Sequence, residues 1–166
     1  MHGYSPADWE SFFVAVVGAA AALTGLLFVA VSLNLGTILK DPASMLPTRT
    51  AETLASLLFV VISSALVLVP QNSRLLGLEI LLIVVPLLVI TTRFQLKFRR
   101  ANPNAPLLWS ASRMTASAVA TVPGTVAGLS LLAHWGGGLY WLVPTALLGI
   151  CGAVYSAWVL LVEIVR

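Results

Sequence analysis

One cysteine, two histidines and fifteen charged side chains, nine basic and six acidic, are all that 166 residues offer to chemistry and to water. The single cysteine, Cys151, lies inside an apolar run, which excludes a disulfide framework and a thiolate metal site. Charged residues make up 9% of the chain against 59% hydrophobic ones, and the mean hydropathy is +0.99. That leaves too little polar surface to cover a soluble globule. Catalytic signatures are missing as well. There is no nucleophile with a nearby base, no HExxH on a span, no glycine-rich phosphate loop and no pair of intramembrane aspartates, so neither enzyme activity nor a cofactor is expected. His2 and His134 lack metal-ligand spacing. The formal charge of +3 would suggest nucleic acid in a soluble chain, but here the basic residues are orientation signals and no nucleic-acid partner is expected.

Long apolar runs are what the chain has. Ser11 to Leu39 holds no charge, and at 1.5 Å per residue it can cross a hydrocarbon core of roughly 30 Å as one tilted helix. It is about twice as long as a signal-peptide core and is preceded by Asp8 and Glu10 rather than a basic region, so it reads as a retained span. Lys40, Asp41, Pro42 and Pro47 end it. Further spans are expected at about 50–69, 75–98, 113–133 and 139–165. Pro86 should kink the third, Pro123-Gly124 should interrupt the fourth, and Leu107 to Trp109 should re-enter the interface after the loop RRANPNAP. The expected fold is an all-α integral-membrane bundle of five transmembrane helices forming one domain over residues 1–166.

Orientation follows from counting basic residues. With the N-terminus outside and the C-terminus inside, Lys40, Arg49, Arg93, Lys97, Arg99, Arg100, Arg113 and Arg166 are cytoplasmic and only Arg74 is external. Arg93, Lys97 and Arg100 share one face at the inner end of the third span, suited to anionic lipid or to a charged vestibule. Tyr4 and Trp9, with Phe12 and Phe13 just inside, suit an interfacial anchor. Glu52 with Arg49, and Glu163 with Arg166, are most simply helix-end ion pairs.

Small residues recur at close-packing intervals in three spans. Gly18 with Ala22, and Ala21 with Gly25, lie in the first; Ala116, Ala120, Gly124 and Gly128 in the fourth; Gly149, Ala153 and Ala157 in the fifth. Any single row suits packing within one five-helix bundle, but three are more than a compact bundle needs and point to a homo-oligomer, with the fourth-span row holding protomers together, or to contact with other membrane proteins. Glu79 is a carboxylate inside the third span, costly when ionised in hydrocarbon, so it should reach the interface, pair with Arg74 or serve a function. Ser117, Thr121 and Thr125 form a hydroxyl stripe that either lines a polar path or returns its hydroxyls to its own helix.

The run FFVAVVGAAAALTGLLFVAVSLNLGTIL resembles the opening helix of small actinobacterial multi-span membrane proteins of unknown function, some labelled modulators of a membrane-bound AAA protease. That resemblance implies a bacterial inner-membrane protein and assigns no functional residue. Two functions fit these features. One is an oligomeric pore or channel-like module for small ions; the other is a non-conducting accessory subunit that docks through its small-residue faces. If Glu79, Ser117, Thr121 and Thr125 face an aqueous axis the first is favoured, and if they face neighbouring helices the second is.

Overall fold

The computed structural model describes residues 2–38, 46–101 and 107–165, with side chains at 2, 37–38, 46–49, 94, 98, 101, 107–117, 119–120, 156 and 159–165 left out of the description. The described residues form helices α1 (Glu10–Leu33), α2 (Leu35–Ile38), α3 (Leu46–Leu68), α4 (Ser73–Ala101), α5 (Leu107–Ala133) and α6 (Leu142–Val165), with no strand among them. Short 3₁₀ turns His2–Tyr4 and Pro6–Trp9 precede α1, and a third, Gly138–Trp141, leads into α6. Four of these helical segments are long and apolar enough to cross a membrane: Pro6–Leu33, Thr50–Leu68, Ser73–Lys97 and Gly138–Tyr155. In α5 the described apolar stretch is the shorter Thr121–Ala133. All-helical structure suits such a chain, because a helix satisfies its own backbone polar groups and needs no water to do so.

Several boundaries differ from the sequence expectation. The first long helix stops at Leu33 rather than Leu39, since Asn34 turns its amide back onto the Ala30 carbonyl at 2.9 Å and leaves helical geometry at ψ 10°. Pro47 does not separate helices; it sits in the first turn of α3, where a missing N–H costs nothing. Helix α4 runs through Pro86 to Ala101, so Arg99 and Arg100 belong to a helix and not to a loop. Helix α5 starts at Leu107 and is not interrupted at Pro123-Gly124. Residues 102–106 of the expected loop lie outside the described residues.

The long helices pack as a series. α1 lies on α3, α3 on α6, α6 on α5 and α5 on α4, with a smaller contact between α3 and α4. Three buried clusters follow one another along the bundle: Phe13 with Val67, Leu76, Ile80 and Leu131; then Val16 and Ala20 with Val60 and Ala146; then Leu27 with Leu57 and Ala153. Where backbones approach closely the sequence supplies glycine. A Cβ at Gly77 would lie 2.8 Å from the Gly128 carbonyl oxygen, one at Gly128 would lie 2.6 Å from Leu81 Cγ, and one at Gly124 would lie 2.9 Å from the Phe59 ring. At Gly149 it would lie 2.7 Å from Val60 Cγ2.

Candidate functional site

Two polar regions and one exposed face are candidates. The first region caps the end of the bundle where α3 and α5 finish and α1, α4 and α6 begin. Here His134 to Gly138 turn the chain from α5 into the 3₁₀ turn before α6, with left-handed φ at His134 (51°), Gly136 (88°), Gly137 (108°) and Gly138 (57°). Three successive residues in that region require glycine. Ser130 pins the turn from α5: its Oγ donates to the Trp135 carbonyl and accepts the Gly138 N–H at 2.8 Å. Trp141 Nε1 donates to the Gly136 carbonyl at 2.7 Å.

The N-terminal residues close over this turn. The Gly137 N–H donates to the Tyr4 hydroxyl at 3.2 Å, and the Tyr4 ring stacks on His134 at 5.3 Å with 7° between the planes. Trp9 meets Tyr140 edge-on at 4.7 Å and also contacts Phe12 and Phe13. Ser73 Oγ lies 3.2 Å from His134 Nε2 and ties the start of α4 to the same cap. Tyr4 and Trp9 are thus docked on the protein itself, not only presented to an interface. His134 is engaged by tyrosine and serine, and among the described residues no three His, Cys, Asp or Glu side chains gather as a metal site.

Ser130 makes the cap testable. Ser130→Ala would leave the buried Gly138 N–H and the Trp135 carbonyl without their partner, at a cost of about 1–3 kcal/mol. A lowered thermal midpoint in detergent is expected, with faster proteolysis between residues 130 and 141; an unchanged midpoint would remove Ser130 from this role.

The second polar region lies within the bundle. Glu79, partly buried on α4, accepts a hydrogen bond from Gln71 Nε2 at 2.8 Å, and the same amide donates to the Leu66 carbonyl at 3.1 Å. Its partner is therefore the glutamine of the α3–α4 connection and not Arg74, which is exposed. Thr121 is buried, and Thr125 Oγ1 donates to the Thr121 carbonyl at 3.0 Å, four residues back on its own helix. Ser63 and Ser64 on α3 and Thr145 on α6 are also buried, and Thr145 likewise returns its hydroxyl to Trp141. The side chains of Ser117, Ala116 and Ala120 lie outside the described residues, as do those of Arg49, Arg113 and Glu163.

The small-residue rows separate sharply. Gly124 and Gly128 are buried against α3 and α4 of the same chain, and Gly149 and Ala153 against α3 and α1, so these positions pack the protomer internally. Gly18, Ala22 and Gly25 are exposed, and a Cβ at Gly18 or Gly25 would meet nothing within 4 Å. On α1 Phe13, Val16, Ala20 and Leu27 face the bundle, while Ala15, Gly18, Ala22, Gly25 and Val29 face away from it, with the exposed Leu26 and Leu33 beside them. At 100° per residue these two sets lie on opposite sides of the helix. That alternating three-and-four spacing of the outer set is not apparent from paired small residues alone.

At the other end of α4, Arg93, Lys97, Arg99 and Arg100 are all exposed. Comparison with family models, with curated proteins and with solved structures finds no match.

Proposed function

We propose that this chain is a non-conducting, multi-pass docking subunit of a bacterial inner membrane, and that its partner is a second copy of itself meeting it through the outer face of α1. The observation that carries this reading is the row of small residues left open on the outer face of that helix. A helix face left to lipid is ordinarily bulky, and small residues are used where backbones approach. Here Phe13, Val16, Ala20 and Leu27 are buried inside the protomer, while Gly18, Ala22 and Gly25 form a small-residue row on the outer face, flanked by the exposed Leu26, Val29 and Leu33. Spacing of three and four residues suits a shallow crossing of two like helices, and a two-fold pair presents the same patch from both sides.

The polar residues support the non-conducting half of the reading. Glu79 is occupied by Gln71, Thr125 by its own helix, and Thr121 is enclosed by neighbouring helices. None of them offers a hydrated row along an outer surface that copies of the chain could close into a pore. Purified protein in liposomes should therefore give no cation or anion flux above empty vesicles. Flux that falls on Glu79→Gln, with folding intact, would replace this reading by the pore.

In this proposal the cap end faces outward and the basic end of α4 faces the cytoplasm, as the distribution of basic residues favours. Cysteines introduced at Ser5 and Arg99, in a Cys151→Ser background, should label from opposite sides of intact cells. Labelling of both from one side would contradict that orientation.

A further inference from the structure

Helix α4 holds a surface that the docking reading does not use. Its 29 residues are about 43 Å long, more than the roughly 30 Å of a hydrocarbon core. Measured from Ser73, Arg93 lies about 30 Å along the axis, where the hydrocarbon ends, and Lys97 and Arg100 lie about 6 and 10 Å further, at headgroup depth. From Leu87 to Ala101 the helix has four cations and no acidic residue. None of the four makes an ion pair or side-chain hydrogen bond with another described residue.

Their angular positions divide them. At 100° per residue Arg93, Lys97 and Arg100 fall within about 60° of arc, whereas Arg99 points about 120° away from Arg93. On the same side, within about 100° of arc and toward the middle of the helix, lie Leu82, Pro86, Val89 and Ile90, all exposed. One face therefore runs from exposed apolar side chains directly into three cations that pair with no other described residue. That is the order of parts in a phospholipid, acyl chains first and phosphate next.

Resting on the reading of α4 as a membrane span, we infer that this strip is a binding site for an anionic phospholipid. The acyl chains lie along Leu82, Pro86, Val89 and Ile90, Arg93 and Lys97 hold the phosphate, and Arg100 takes a second anionic group. The Arg93 guanidinium can engage two phosphate oxygens at once, and Lys97, one turn on, reaches the same phosphate as a point charge. Because Arg100 adds a third cation about one turn beyond Lys97, a lipid bearing two phosphates binds more tightly than a lipid bearing one.

The test uses the delipidated full-length protein in mild detergent, with diphosphatidylglycerol, phosphatidylglycerol, phosphatidylcholine and inorganic phosphate as probes, binding being read by native mass spectrometry. Affinity should fall in that order, with diphosphatidylglycerol bound about tenfold more tightly than phosphatidylglycerol. Each of Arg93→Gln, Lys97→Gln and Arg100→Gln should lose about tenfold for diphosphatidylglycerol, while Arg99→Gln, which removes the same charge from another face, should lose less than about twofold. Equal losses at Lys97 and Arg99, or wild-type binding of phosphatidylcholine as tight as that of diphosphatidylglycerol, would overturn the site. Displacement of the lipid by inorganic phosphate at equal concentration would overturn it in favour of a soluble anion. Alkaline carbonate extraction of the wild-type protein separates the two levels: release from membranes overturns the spanning reading and this site with it, whereas retention with no lipid preference overturns this site alone.

Discussion

Gly128→Leu should destroy the folded bundle, whereas Gly25→Leu, the same change in the same kind of residue, should leave it folded. At Gly128 even a Cβ would come within 2.6 Å of Leu81 Cγ and 3.1 Å of the Gly77 carbonyl oxygen. Gly77 is held reciprocally, its Cβ position lying 2.9 Å from Leu131 Cβ and 2.8 Å from the Gly128 carbonyl. Neither backbone can give way without separating α4 from α5, one of the most extensive helix pairings in the bundle. Hydrocarbon gives helices no hydrophobic drive toward one another, so the close fit itself is what holds them together. Overpacking a tight site costs about 1–3 kcal/mol for a few added methylenes, and a leucine driven into a backbone contact should exceed that. Thermal unfolding in detergent checks both variants. Equal midpoints for Gly128→Leu and wild type would mean that the α4–α5 contact is not tight.

The second large effect belongs to the outer face of α1. Gly18→Leu combined with Gly25→Leu places two isobutyl groups where nothing lies within 4 Å of the Cβ positions, so the protomer should keep its stability. Between two copies the same groups hold the backbones apart. The dimer dissociation constant in liposomes, measured by energy transfer between labelled copies, should rise at least tenfold, about 1.4 kcal/mol. An unchanged constant would remove this face from self-association.

Much of the architecture is legible in the sequence because lipid permits few solutions. Apolar runs near 20 residues, bounded by Pro70 and QNSR or by HWGGG, mark α3, α4 and α6 to within a few residues. Prolines mislead more. Pro123, expected to interrupt its span, sits inside a continuous helix, since a missing N–H is tolerated where neighbouring helices pack around it, whereas Pro86 lies within α4 as its span implied. The end of α1 is set by an amide of Asn34 returning to its own helix, a competition that the apolar run around it conceals.

The candidate sites were readable only in part, for a definable reason. Spacing lists Gly18, Gly25, Gly124, Gly128 and Gly149 as equivalent small residues. Only tertiary contact separates the three that are enclosed from the two that are open. The cap is less visible still, because Tyr4 and Gly137 are 133 residues apart and no periodicity links them. Three consecutive glycines after Trp135 are the one local signal that a tight, left-handed turn had to be built there. For Glu79 the sequence offers Arg74 as the nearest opposite charge. The bond goes instead to Gln71, which the α3–α4 connection brings across from the preceding helix end.

The most direct test of the docking reading is disulfide formation between copies in native membranes, using single cysteines on α1 in a Cys151→Ser background. Ala22 and Phe28 are both exposed, but they lie on different sides of the helix, with only Ala22 in the row of Gly18 and Gly25. Under mild oxidation Ala22→Cys should give a covalent dimer of the chain and Phe28→Cys should remain a monomer; equal crosslinking at both positions, or none at Ala22, would contradict self-association through this face.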